Sequence, residues 1–256
     1  NSRLGYQAGK NIVTGAQYNT FIGYQAGLSA ASGGTNDADL NTAIGYQSLY
    51  SNITGQQNTA NGVQSSFSST AGHYNVANGR SALYSNITGL YNTAIGAYAL
   101  YYNNSATSTT AIGYNAGQGA GVAYNNQGST YVGMSAGFSA STGSDYNTML
   151  GYQSGYGVTT GANNILLGYN AGYSGTNLVT GSNNIIIGNN IGATSTSMTR
   201  GLNIGNLIFG TGLDGSGTTL SSGNVGIGTT TPLKTLYVSA GGTSGGPNSV
   251  TGEAGI

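Results

Sequence analysis

An apolar residue followed by glycine recurs along the chain between polar stretches. Aligning on that glycine gives Gly5, Gly23, Gly45, Gly62, Gly79, Gly96, Gly113, Gly133, Gly151, Gly168, Gly188 and Gly205, at intervals of 18, 22, 17, 17, 17, 17, 20, 18, 17, 20 and 17 residues. Before Gly62 and Gly79 the apolar place is taken by Asn61 and Asn78, with spacing and flanks kept. One unit runs Asn41-Thr42-Ala43-Ile44-Gly45-Tyr46-Gln47-Ser48-Leu49-Tyr50-Ser51-Asn52-Ile53-Thr54-Gly55-Gln56-Gln57, and the next resumes at Asn58-Thr59-Ala60. Helical repeats need helix formers and apolar positions at 3.6 spacing, whereas these units are Gly, Asn, Thr and Tyr with short β-compatible runs. The pattern predicts a strand at Thr-Ala-Ile-Gly, a second at Asn-Ile-Thr, and turns at the glycine-containing segments between them. Stacked on itself, such a unit builds an all-β, parallel β-solenoid (β-roll) of about twelve coils of 17–22 residues.

In a solenoid, each column of the alignment becomes a ladder along the axis. Four residues before the glycine stands Asn19, Asn41, Asn58, Asn75, Asn92, Asn147, Asn164 or Asn184, with Thr109 and Ser129 where Asn is missing. Stacked amides can bond to one another and to turn backbone, which is what a sharp corner requires. Three residues after the glycine the side chain is always Ala or Ser from Ala8 to Ala171, as expected of a position pressed against another backbone. The strands carry apolar or small residues on both faces, as in Phe21 and Ile22, Leu166 and Leu167, or Ile186 and Ile187. A strand that reads this way is buried on both faces. A 17-residue coil is too thin to cover the second face, so the same strand from another copy is the expected cover and the fibre is expected to be a parallel homotrimer. Ile95 is assigned to the thin interior on the same grounds.

Only 4% of residues are charged and the formal net charge is zero, which removes the electrostatic footprint of nucleic-acid binding and of a basic membrane-surface patch. Apolar runs such as Ile185-Ile186-Ile187 are far shorter than the roughly 20 residues of a membrane span, so no membrane insertion is expected. The chain lacks Cys, which leaves backbone hydrogen bonding, packing and oligomerisation to hold it together. It opens without Met on a full copy of the motif, Arg3 to Gly9, as a piece of something longer would. Residues 1–192 are expected to form the repeat region, 193–238 a transition segment with its own C-terminal motif, and 239–256 a flexible Gly-rich tail.

The string Asn-Thr-Ala-Ile-Gly, intact at Asn41 to Gly45 and Asn92 to Gly96, resembles the short head repeat of trimeric autotransporter adhesins and related repeats of bacteriophage tail fibres. That resemblance covers about residues 1–192 and implies a trimeric, left-handed parallel β-roll, although the coils here are longer than the compact head repeats. Residues 223–238, from Gly223-Asn224-Val225-Gly226-Ile227-Gly228 to Leu236-Tyr237-Val238, look like the segment that often precedes the endosialidase-type intramolecular chaperone in tail fibres. In that family the chaperone drives trimerisation and is then cleaved away.

Candidate chemistry is thin. Ile22-Gly23-Tyr24-Gln25-Ala26-Gly27 fits the hexapeptide of left-handed β-helix acyltransferases, but it occurs once per coil where that fold needs about three, and the catalytic His would have to be His73. A lone His at a turn is expected to be a solvated surface residue. Glycoside hydrolysis needs paired carboxylates, and Asp37, Asp39, Asp145, Asp214 and Glu253 offer one near pair, Asp37 with Asp39. Asn36-Asp37-Ala38-Asp39 could lend oxygens to calcium, which needs six or more, so a polar loop is the simpler assignment. Gly226-Ile227-Gly228 has no following helix to make a phosphate site, and the sequons at Asn52 and Asn86 coincide with the repeat itself. No catalytic residue, cofactor or metal is expected.

The aromatic columns remain. Tyr6, Tyr24, Tyr46, Tyr114, Tyr152 and Tyr169 follow the glycine directly; Tyr50, Phe67, Tyr84, Tyr101, Phe138, Tyr156 and Tyr173 stand four residues further on. Stacked rings stabilise neighbouring coils, and a phenol also suits sugars or partner surfaces. The expected function is that of a non-enzymatic, extracellular structural fibre, the shaft or stalk of a phage tail fibre or a bacterial surface appendage. The alternative is an adhesin that grips host or cell-surface glycans or receptors through Tyr24, Tyr46, Tyr50, Tyr84, Tyr101, Tyr114, Tyr152, Tyr169 and Tyr173.

Overall fold

The computed structural model describes residues 1–12, 15–28, 38–121, 123–233 and 236–238. Fifteen three-residue strands lie in one sheet in sequence order, and no helix occurs among the described residues. They are β1 (Ser2–Leu4), β2 (Thr20–Ile22), β3 (Thr42–Ile44), β4 (Thr59–Asn61), β5 (Val76–Asn78), β6 (Thr93–Ile95), β7 (Thr110–Ile112), β8 (Thr130–Val132), β9 (Thr148–Leu150), β10 (Ile165–Leu167), β11 (Ile185–Ile187), β12 (Leu202–Ile204), β13 (Ile208–Gly210), β14 (Val225–Ile227) and β15 (Leu236–Val238). From β1 to β12 every neighbour is parallel and aligned column on column, as in Thr42, Ala43 and Ile44 against Thr59, Ala60 and Asn61. The chain is a parallel β-solenoid.

Each coil has one strand, not two. The Asn-Ile-Thr segment bends instead, because Asn52 ties it locally: its Oδ1 accepts the Gly55 N–H at 2.9 Å while its Nδ2 donates to the Gly55 carbonyl at 2.8 Å. The Ile53 and Thr54 N–H groups both reach the Thr70 carbonyl in the next coil, so this side of the coil is hydrogen-bonded without forming a ladder.

The single strand explains which residues are inside. The middle residue points into the coil: Phe21, Ala43, Ala94, Tyr131, Met149, Leu166 and Ile186 are all buried. The third residue points out, and Ile95, expected in the interior, is 38% exposed, as are Ile44 and Ile112. Among the described residues the sheet is therefore covered on one face only. The reason is the pleat, which sends successive side chains to opposite faces.

Coil volume is balanced between two columns. Where the inner strand residue is Ala43, Ala77 or Ala94, the residue four after the glycine is Leu49, Leu83 or Leu100, each fully buried. Where it is Phe21, Tyr131, Met149 or Leu166, that place is Gly27, Gly137, Gly155 or Gly172. A Cβ at Gly137 would stand 2.3 Å from the Tyr131 ring, and one at Gly155 2.2 Å from the Met149 sulfur. Two coils depart from the exchange: Ala60 is paired with Ser66, and beside Gly117, whose own strand residue is Ala111, Tyr131 leans over from the next coil and would lie 2.6 Å from an added Cβ. The three leucines hold φ of 50–53°, which costs about 1–2 kcal/mol for a side-chain-bearing residue, and full burial of Leu offsets this with about 1.5–3 kcal/mol.

The Asn column forms the expected ladder. Asn41, Asn58, Asn75 and Asn92 each donate a backbone N–H to the Asn Oδ1 of the preceding coil at 2.8–3.0 Å. Their Nδ2 groups reach the carbonyls of Gly55, Gly72, Gly89 and Ala106 at 2.7–2.8 Å. Every side chain thus closes its own coil and holds the next, in full burial. Where Thr109 and Ser129 interrupt the column, Asn126 moves in: its Nδ2 donates to the Tyr131 hydroxyl at 2.9 Å, and its Oδ1 accepts from the Asn103 amide. The ladder resumes at Asn147, whose N–H reaches Ser129 Oγ at 3.1 Å, and runs on through Asn164 and Asn184 to the Gly201 N–H.

The small column three residues after the glycine, from Ala8 to Ala171, is buried throughout. The repeat glycine itself is forced. At Gly96 φ is 126°, and an added Cβ would meet the Gly113 carbonyl oxygen at 2.5 Å. Gly205 departs from this conformation: with φ of 61° there and 56° at Asn206, the two make a hairpin turn that sends the chain back. β13 is consequently antiparallel to β12; β14 is in turn antiparallel to β13, and β14 and β15 are parallel. Parallel stacking therefore continues past residue 192 to β12. The expected tail, 239–256, lies outside the described residues.

Candidate functional site

The candidate contact residues sit on the two aromatic ladders, because the coil period returns them to the same edge of successive turns. In the column next to the glycine, Tyr6, Tyr24 and Tyr46 stack with centroids 5.3 Å apart and planes within 9–18°, and Tyr152 stacks on Tyr169 at 5.3 Å. These rings are exposed. The column is not continuous: Val63, Arg80 and Ala97 separate Tyr46 from Tyr114, and Met134 separates Tyr114 from Tyr152. Tyr114 meets Tyr98 edge-on instead, at 6.0 Å.

The second column is half-buried. Tyr50, Phe67, Tyr84 and Tyr101 form one four-ring ladder at 4.9–5.1 Å, and Phe138, Tyr156 and Tyr173 a second at 4.7 Å, with Gln118 between the two. Burial, with the neighbouring phenols of Tyr84, Tyr102 and Tyr98, holds the Tyr101 hydroxyl above the usual phenol range. A third column was hidden by the alignment on glycine. Tyr18, Tyr74, Tyr91 and Tyr146 each precede an Asn of the ladder, are exposed, and hold φ of 54–59°; Tyr74 and Tyr91 stack at 4.9 Å. Its signal was available as the recurrent Tyr-Asn dipeptide.

What these rings can do follows from their geometry. Parallel stacking covers the faces and leaves the edges and hydroxyls outward, so the columns offer rows of phenols about one coil apart in place of flat platforms. Beside the first column runs an amide ladder, in which Gln25 donates to Gln7, Gln47 to Gln25 and Gln64 to Gln47 at 2.8–3.2 Å, and Gln7 donates to the Tyr6 hydroxyl at 3.2 Å.

The titratable residues have structural duties. Six residues before the repeat glycine, a side-chain acceptor takes a backbone N–H from the same column of the preceding coil. Asp39 takes that of Gln17 at 2.6 Å, Asp145 that of Gln127 at 2.8 Å, Ser182 Oγ that of Ala162 at 3.0 Å, and His73 Nδ1 that of Gln56 at 3.0 Å. His73 is thus a half-buried inter-coil acceptor with its proton assigned to Nε2, not the solvated residue expected. Asp37 and Glu253 lie outside the described residues. Asp214 is fully exposed, and hydrogen bonds from Ser222 hold its carboxyl below the usual range. Among the described residues no three His, Cys, Asp or Glu side chains gather as a metal would need, and no helix is long and apolar enough to cross a membrane. Asn52 and Asn86 of the sequons are buried, with their amides committed to the turn at Gly55 and Gly89.

One cleft of about 490 Å³ opens where the parallel stack meets the reversed strands, against Ser174, Thr176, Asn190, Asn203, Phe209 and Thr230; no ionisable side chain lines it. Neither a protein-family model, nor a curated protein, nor a solved structure matches the chain.

Proposed function

We propose that the chain is a non-enzymatic structural segment of an extracellular fibre, the shaft or stalk of a phage tail fibre or of a bacterial surface appendage. Three parallel copies pack the outer faces of their sheets about a common axis, as in the fibres the repeat resembles. The observation that carries this reading is the outer face itself. From β2 to β12 its first and third strand positions hold Thr, Val, Ile, Leu and the two Asn, with no charged side chain. The third position, Leu, Ile or Val in all but β4 and β5, makes an apolar stripe roughly 50 Å long at about 4.8 Å per strand, beside a first column that is mostly Thr; a soluble single chain seldom leaves such a stripe open. Light scattering or native mass spectrometry of the folded chain tests the assembly. Three chain masses are expected, and a stable soluble species of 25.5 kDa would overturn it.

A second reading is supported by the exposed Tyr and Gln ladders: an adhesin whose rows of phenols and amides bind glycan hydroxyls. Glycan-array binding that is lost in Tyr24→Ala/Tyr46→Ala would favour it; a fibre that binds no glycan favours the shaft alone.

A further inference from the structure

We infer that Asn61 and Asn78 fix how neighbouring copies align, as a polar key in the apolar outer column of the sheet; this rests on the assembly proposed above. The need for a key is built into a repeat. A face that recurs every coil can meet a copy of itself unslipped, or displaced by one coil, with nearly the same apolar contacts. The third strand position is Leu, Ile or Val in ten of the twelve parallel strands, and Asn only in the adjacent strands β4 and β5. Both side chains are exposed, and among the described residues neither amide bonds within its own chain.

Placement makes the pair selective. β4 and β5 lie off the centre of the twelve-strand stack, so a full-length antiparallel pairing would set Asn61 against Leu150 and Asn78 against Val132. A one-coil slip leaves one Asn pair matched but sets Asn61 against Ile44 and Asn78 against Ile95. Only the parallel, unslipped arrangement gives every amide an amide to bond to. An amide pressed against aliphatic side chains loses its water and gains no partner, and a single buried Asn selects alignment in helical coils by the same rule.

The chain has no Cys, so introduced thiols report alignment directly. Chains carrying Ile95→Cys are coexpressed with chains carrying Ile112→Cys, oxidised, and the disulfides identified by peptide mass; the geometric demands of the bond distinguish aligned from displaced pairs. In the natural background we expect 95–95 and 112–112 pairs. In the Asn61→Ile/Asn78→Ile background, where the new residues are those of Ile44 and Ile95 and the coil is preserved, the 95–112 fraction should rise at least about tenfold. An equal 95–112 fraction in both backgrounds, at the mass of three chains, overturns the key and leaves the assembly standing. A single-chain mass in the natural background overturns the assembly and the key with it.

Discussion

The coils from β3 to β6 and those from β7 to β9 reach one cross-section by different means. The first stretch keeps a 17-residue period, an inner column of Ala filled by Leu49, Leu83 and Leu100 and by Ser66 in the β4 coil, and an unbroken Asn ladder. The second has intervals of 20 and 18 residues, loses Asn at Thr109 and Ser129, and is plugged by Tyr124 and Tyr131, both buried. There the hydrogen bonds of the missing amides pass to Asn126, Ser144 and the Tyr131 hydroxyl. Both stretches keep the repeat glycine and a filled coil, while the polar corner is built in two different ways.

The largest effect should be common to both stretches. Gly96→Ala and Gly133→Ala each push a Cβ to within 2.4–2.5 Å of the next coil's carbonyl oxygen at φ near 130°. Each should lower stability by more than about 3 kcal/mol or prevent folding, as read by denaturant unfolding; a mild loss at one of them would show that coil spacing is not shared. Next come the two corners. Tyr131→Ala should cost about 3–5 kcal/mol from its cavity, and Asn75→Ala about 2–3 kcal/mol by orphaning the Asn92 N–H and the Gly89 carbonyl.

Volume exchange between columns should have an intermediate effect. Ala94→Leu alone overfills a coil that already holds Leu100 and should cost about 1–3 kcal/mol. Adding Leu100→Gly reproduces the Leu166 and Gly172 pairing of the β10 coil and should recover most of the loss, whereas equal instability of single and double variants would refute volume balance. The smallest effect is pH-dependent and belongs to the plugged stretch. Burial, aided for Tyr124 by the phenol of Tyr131, raises both phenols above their ordinary value, against opposing hydrogen bonds. The folded chain therefore keeps protons that the unfolded chain releases near pH 10: stability is full below that pH and falls as pH rises above it. Thermal melts from pH 9 to 11 should show the decline, and Tyr124→Phe with Tyr131→Phe should flatten it.

Much of this was legible in the residues. The repeat glycines located every strand of the parallel stack from β1 to β12, and the Asn, small-residue and Tyr columns all appear as ladders, since a period translates directly into stacking. Three features escaped because they depend on more than period. The orientation of Ile95 is set by which alternate residue the coil encloses, and a three-residue strand gives too short an alternation to decide that. The Asn-Ile-Thr bend comes from Asn52 bonding to its own turn in preference to extending. The Leu-for-Gly exchange is a relation between columns, visible only when Ala94 with Leu100 is set beside Tyr131 with Gly137. Gly205-Asn206, by contrast, was a readable hairpin dipeptide that the run of repeat glycines masked. His73 and the aspartates needed the column six before glycine, where acceptor chemistry is shared across unlike side chains.

The single-strand coil also stores length. Each 17-residue turn advances the axis by only about 4.8 Å, yet the same residues drawn straight would span roughly 56 Å. Under tension along the axis, the inter-coil hydrogen bonds carry the load before the covalent backbone does. A coil that yields would pay out roughly ten times its resting height without severing the chain, and it could restack when the load falls. Stacks of such turns would act as an extensible tether whose give comes in coil-sized steps.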